Sequence, residues 1–231
     1  MPPTSLGIKK GNAMARNDNE VSLDILQTLF HDPSTLKLPD PELVNYYYYE
    51  NSRMVWIDLS VDASALEYIR LFVRWNMGDI GKKIEDRKPI KIMLFNYGGS
   101  FDLEWALIDA IKTSKTPVWT VNMGICASAA ADVFIAGSKR LMMPNAKLMI
   151  HQGNAGFEGD AQKIFDQADN YKAQLEKIKK FTLENTKIPA RVFNKHINND
   201  WWLTANECIE YEVCDAIIET IDDVVVEMKG E

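Results

Sequence analysis

Three strand-like runs in this chain of 231 residues end in groups that can do chemistry. In "NMGICASAAADVF", Asn122 to Phe134, Ser128 sits among small residues just after the β-rich "TPVWTV". The run "KLMIH" ends in His151, and "PIKIMLFNYGG" ends in Gly98 and Gly99. Strand ends are where α/β proteins build their sites. Each group also has a bland role: a glycine pair for a tight turn, a serine capping the next helix, a structural histidine. Nucleophilic catalysis asks for more than a hydroxyl. It needs a base to take the proton, an acid to orient that base, and donors for the oxyanion that develops. A glycine pair lets the backbone approach a ligand and turn amides towards it. The amide of Ala129, following Ser128 at a helix start, faces where an anion is favoured. Candidate acids are Asp160, Asp166, Asp169 and Asp200, and spacing does not choose among them. Asp200 stands apart in following a helical stretch and preceding "WWL". His31 lies in a proline-rich connector and His196 in mid-helix, both away from a nucleophile. The residues alone point to an α/β enzyme, with serine hydrolysis as one reading of it.

The elements that must position these groups alternate. "VSLDILQTLF" has helical spacing, "HDPSTLKLPDPEL" is a connector broken by three prolines, and "YYYYENSRMVWIDL" reads as strand-rich chain. Four consecutive tyrosines cannot all be core, so some must face solvent, a partner chain or a ligand. "ALEYIRLFVRWNMGDI" predicts a helix burying Leu66, Ile69, Phe72 and Val73, and "DLEWALIDAIKTS" another on Leu103, Ala106, Leu107, Ala110 and Ile111. "SAAADVFIAG" predicts a short buried helix, followed by the strands "RLMM" and "KLMIH". A long amphipathic helix is expected from about Asp160 to Asn185, with Ile164, Ala168, Tyr171, Leu175 and Ile178 on its stripe. "PARVFNKHI" is helical, "TANECIEYEV" opens on a capping box of Thr204 and Glu207, and "DAIIETI" reads as a final strand. Repeated β-α units imply a mainly parallel sheet with helices on its faces.

Composition sets bounds on function. A formal net charge of −7 disfavours a nucleic-acid partner, which would require a basic face. No apolar run approaches the ~20 residues of a membrane-spanning helix, and the first twenty residues lack the apolar core of a secretory signal. Met14 is an alternative start. Cys126, Cys208 and Cys214 show neither a disulfide framework nor metal-ligand spacing, and a reducing, cytoplasmic compartment is expected with no metal and no cofactor.

The order of four motifs adds what spacing cannot. "FNYGGSFDLEWALIDAI", "MGICASAAADVFIAGSKRLMMPNAKLMIHQG", "GFEGDAQKI" and "NNDWWLTANECIEYEVCDAI" resemble the proteolytic subunit of the Clp protease, over about Val55 to Thr220. The resemblance implies a crotonase-like α/β superhelix of β-α units. In it, "QGNAGFEGDAQ" and the helix that follows form a protruding strand-helix handle. It further implies Ser128 as nucleophile, His151 as general base, Asp200 as orienting acid, and the amides of Gly99 and Ala129 as the oxyanion hole. Residues 51–231 are then the peptidase domain, and 1–50 an extension that is partly disordered or used in assembly. The substrates implied are peptides and unfolded polypeptides, cleaved inside a homo-oligomeric chamber of one heptameric ring or two stacked rings.

Departures from the family pattern bear on partners. Tyr97 stands where the family has proline before the glycine pair, and Gly153 where it has proline after His-Gln. Asn199 and Lys163 replace the arginine and the acid of an inter-ring ion pair. Lys91 and Thr113 fall where aromatic residues line the docking pocket for an ATP-driven unfoldase, which argues against tight docking. Two other readings share the fold: a non-catalytic ring or scaffold subunit, and a crotonase-type acyl-CoA enzyme, which would not need a Ser-His pair.

Overall fold

A computed structural model describes residues 41–225 of the chain. The chain divides into two compact units, Met1–Asn45 and Tyr46–Glu231. His31 and the helix expected over "VSLDILQTLF" lie outside the described residues.

Helix α1 (Pro41–Ser52) leads into β1 (Met54–Val61), α2 (Ala65–Gly78), β2 (Ile90–Gly99), α3 (Phe101–Thr113) and β3 (Val118–Ala127). Then come α4 (Ala129–Ile135), β4 (Lys139–Met142), β5 (Lys147–Ile150), α5 (Ala161–Asn185) and α6 (Ala190–His196). The last elements are β6 (Trp201–Thr204), α7 (Ala205–Glu210), β7 (Ala216–Ile217) and α8 (Asp222–Val225). The strands form one sheet in the order β1-β2-β3-β4-β7, all parallel, with β5 joining β3 in parallel and β6 antiparallel to β5. This is the α/β superhelix of repeated β-α units.

The strand β3 forks. Its first half, Trp119 to Asn122, pairs with β4, and its second half, Ile125 to Ala127, pairs with β5. Asn122 holds the fork. Fully buried, it donates to the Lys147 carbonyl at 2.9 Å and accepts from the Gly124 amide at 3.0 Å. One face of the sheet carries the main core, where Val55, Ile57, Ile92 and Leu94 meet Phe72 and Trp75 of α2, Leu107 and Ile111 of α3, and Val133 and Phe134 of α4. The other face carries a smaller cluster of Met54, Met93, Val121, Leu141, Ile218 and Val224. With both faces covered, β2 reads as a nearly continuous buried run.

Several local expectations are corrected. The tyrosine run is helical, and strand begins only at Met54. Aromatic content suggested strand, but Tyr49 packs on the core from a helix while Tyr47 and Tyr48 stay exposed. In α2 the buried face is Ala65, Leu71, Phe72 and Trp75, whereas Leu66 and Val73 are exposed. The two stripes share Phe72, and Trp75 is the larger side chain for the core to cover. The expected last strand shortens to Ala216–Ile217 and gives way to α8. Among the described residues the glycine-bearing segment before α5 forms no ladder with any strand. Lys91 does not rim an open pocket. It is 2% exposed in β2, its Nζ 3.4 Å from the Val225 carbonyl and 5.5 Å from the centre of the Trp119 ring. Thr113 is exposed on α3, and its hydroxyl donates to the Asp109 carbonyl.

Candidate active site

Sheet register brings the chemical groups together. Parallel pairing sets Ala127 of β3 against Met149 of β5, so both strands end side by side and the Ser128 amide donates to the Met149 carbonyl at 2.9 Å. Antiparallel pairing sets Ile150 against Trp201, which leaves His151 beside Asp200. His151 Nε2 then lies 2.7 Å from Ser128 Oγ, and its Nδ1 lies 3.4 Å from Asp200 Oδ1. Three residues separated by 23 and 49 positions in sequence thus share one hydrogen-bonded line.

Ser128 sits on a sharp turn from β3 into α4, with φ +56° and ψ −131°, a region where side chains other than glycine are strained. A turn of that kind lifts the hydroxyl off the end of the sheet. The Ala129 amide follows at once, as the first of the helix and without an intrahelical acceptor. Opposite it, Gly98 has φ +101° and its amide donates to Asn96 Oδ1 at 2.8 Å. A Cβ on Gly98 would lie 2.6 Å from Ser128 Cβ and 3.2 Å from the Ala129 nitrogen, and one on Gly99 would overlap the Val61 carbonyl. Both glycines are therefore required by close approach. Gly98→Ala is expected to slow fluorophosphonate labelling of Ser128 by about 100-fold, because it both strains the turn and displaces the serine. A labelling rate within threefold of the parent protein would show that the turn tolerates a side chain.

The line of Ser128, His151 and Asp200 has further supports that the sequence did not reveal. Gln152 donates to Asn198 Oδ1 at 2.7 Å, joining the segment after His151 to the loop that carries Asp200. Tyr171 of α5 donates its hydroxyl to the Gln152 carbonyl at 2.6 Å. Asn96 and Asn122 shape the glycine turn and the β3 fork. Their signal was present, as single amides inside the apolar runs "MLFNYGG" and "WTVNMG". A cleft of ≈ 520 Å³ opens beside His151, with Leu175, Ile178, Phe193 and Ile197 as its apolar floor and Lys172, Glu176 and Lys179 along α5.

The other candidate acids are engaged elsewhere. Asp160 caps α5 by accepting from the Lys163 amide, and it also pairs with Lys163 Nζ at 3.5 Å. Asp166 accepts from Gln162 and Asp169 pairs with Lys172. His196 stacks on Trp201, ring centres 4.9 Å apart, and Asn199 is exposed. All three cysteines are buried free thiols. Among the described residues no group of three or more His, Cys, Asp or Glu could hold a metal, and no helix is long and apolar enough to cross a membrane.

Comparison with known proteins falls on this same region. Residues 81–221 match the family model described as Clp protease. The ATP-dependent Clp protease proteolytic subunit 2 of Treponema denticola is 36% identical over 139 residues, 59% of this chain and 70% of that protein. The proteolytic subunit 1 of Streptomyces avermitilis is 31% identical over 142 residues, 61% of this chain and 65% of that protein. A solved structure of a ClpP1 mutant from Listeria monocytogenes superposes with a TM-score of 0.66 at 25% identity, covering 77% of this chain and 98% of the other.

Proposed function

The chain belongs to the Clp protease family, and from that premise we propose that it is a serine endopeptidase working inside a homo-oligomeric ring. The observation that carries this reading is the 2.7 Å contact between Ser128 Oγ and His151 Nε2, with Asp200 on the second ring nitrogen. Asp200 holds the proton on Nδ1, so Nε2 is left as an acceptor for the serine hydroxyl. As Oγ attacks a peptide carbonyl, His151 takes its proton and the carbonyl oxygen becomes an anion. The amides of Gly99 and Ala129 receive that charge, and they do so without reorganising, since both belong to rigid backbone turns. His151 then returns the proton to the leaving amine, and water repeats the sequence on the acyl-enzyme. The long Nδ1 contact suits a resting site, where catalytic hydrogen bonds are often loose. Incubation with a fluorophosphonate should modify Ser128 alone, and a fluorogenic peptide should be cleaved. Absence of both would overturn the reading.

Assembly into a heptameric ring, single or stacked, belongs to the same proposal. Val73, Met77 and Ile80 on and just after α2, and Phe165 on the outer part of α5, are all exposed. A lone chain gains by covering such surface. Native mass spectrometry at micromolar concentration is expected to show seven subunits or fourteen, and a monomer across ordinary salt would sink the idea. An ATP-driven unfoldase is the partner this reading adds. With Lys91 buried, the case against docking rests on Thr113.

A further inference from the structure

Two buried acids lie just behind the site, and the catalytic line does not use them. Glu104 of α3 is fully buried, and Asp132 of α4 is 5% exposed. Among the described residues no donor reaches either oxygen of Glu104, whose neighbour is the Asp132 carboxyl. Asp132 also accepts from Thr182 of α5 at 3.3 Å, a hydroxyl shared with the Ile178 carbonyl. Two carboxylates in contact cannot both stay ionised when water is excluded. The arrangement is satisfied once one proton sits between them: Glu104, protonated, becomes a second donor to Asp132 beside Thr182.

Their places in the chain make the pair more than a core oddity. Glu104 is one helical turn into α3, its amide donating to Ser100 directly after Gly98 and Gly99. Asp132 is one turn into α4, which starts at Ala129 directly after Ser128. We propose that Glu104 and Asp132 are positioning residues: an acid and a carboxylate sharing one proton, which lock the glycine turn and the serine turn at a fixed separation. Thr182 extends the link to the helix that lines the cleft. This inference rests on the reading of Ser128 as nucleophile.

Burial and then the Asp132 charge push Glu104 up to about 10, and burial pushes Asp132 up to about 7. Other charges facing the pair are few. Lys177 of α5 opposes the rise at Glu104 while its Nζ sits 3.5 Å from the centre of the Trp105 ring. The Cys126 thiol of β3 is held neutral by burial. His151 and the exposed Lys147 flank and begin β5, and Lys91 lies on the other face of β2 beside Trp119. Both folded-state values are raised, so the stability the pair contributes is present below the usual carboxyl range. It is lost as pH rises through about 7 and then about 10.

Three variants test the pair, each read by peptide kinetics, fluorophosphonate labelling and melting temperature against pH. In the double variant Glu104→Leu, Asp132→Leu the core keeps its volume without the polar pair, which often leaves stability intact. Its kcat should fall by about tenfold or more with KM nearly unchanged, because the two turns are no longer registered. Its melting temperature should also lose the decline that the parent protein shows as pH rises past neutrality. Glu104→Gln keeps a donor to Asp132 and should retain kcat within about threefold, while Glu104→Leu should not. Parental kcat in the double variant, or equal loss in Glu104→Gln and Glu104→Leu, would overturn the proposal. If the parent protein neither labels nor cleaves, the nucleophile reading has failed. The melting curves then still decide on the shared proton: a parental profile as flat as that of the double variant rejects it.

Discussion

Ser128→Ala is expected to abolish fluorophosphonate labelling and to lower kcat for peptide cleavage by about 10⁶, the loss typical when a triad loses its nucleophile. The oxyanion amides would remain, so cleavage would stay above the uncatalysed rate, as it does when only binding and charge stabilisation are left. The fold should be unharmed. The turn at Ser128 is strained for any side chain, and alanine removes only a hydroxyl whose partner, His151, is half-buried and can be hydrated instead. The stability cost is then that of one exchanged hydrogen bond, about 1 kcal/mol. Ring assembly by native mass spectrometry should match the parent protein. A Ser128→Ala protein that still cleaves at a comparable rate would place the nucleophile elsewhere and overturn the assignment of Ser128.

What could be read from sequence follows from how local each cause is. The helix from about Asp160 to Asn185 was legible because its stripe repeats over about four turns, and the structure packs Ile164, Ala168, Tyr171, Leu175 and Ile178 on its less exposed face. The capping box of Thr204 and Glu207 is a four-residue event and forms as expected. The tyrosine run failed because its residue types favour strand, whereas a helical turn places Tyr49 on the core. The face of α2 failed for a related reason. Periodicity says that a face is buried, and the sheet decides which one.

Ser128 and His151 stood out by chemistry at strand ends, but choosing Asp200 among four acids needed family resemblance. The physical reason is the antiparallel pairing of Ile150 with Trp201, a non-local register that spacing does not encode. Glu104 and Asp132 were hidden for the opposite reason. Glu104 is one of four charged residues in α3 and Asp132 the single one in α4, and in isolation "DLEWAL" and "AAADVF" suggest solvated positions. Only the packing of α3 against α4 shows that the two acids cover each other.

Asp200→Asn carries the second large effect expected. An amide at this position can turn its NH₂ towards His151 Nδ1 and leave the proton on Nε2, where it blocks acceptance from Ser128. In a serine triad such a change lowers kcat by about 10⁴. Here the Nδ1–Oδ1 separation is 3.4 Å and the Asp200 side chain is 64% exposed, so solvent shares the orienting task and 10⁴ is the upper bound. A loss of at least about 100-fold is still expected, because misassigning the tautomer disables every imidazole that the amide engages. Asp160→Asn and Asp166→Asn provide the contrast. Asp160 caps α5 and Asp166 bonds Gln162 on the exposed side of that helix. Asparagine keeps the capping oxygen, so both variants should cleave within about threefold of the parent rate. The tautomer argument also predicts how Asp200→Asn fails: raising pH through the ordinary histidine range should not restore kcat, since that deprotonation leaves a neutral ring whose remaining proton is still on Nε2. Equal loss in all three variants would show that Asp200 has no privileged link to His151. A wild-type rate in Asp200→Asn would leave a serine-histidine pair that works without an acid.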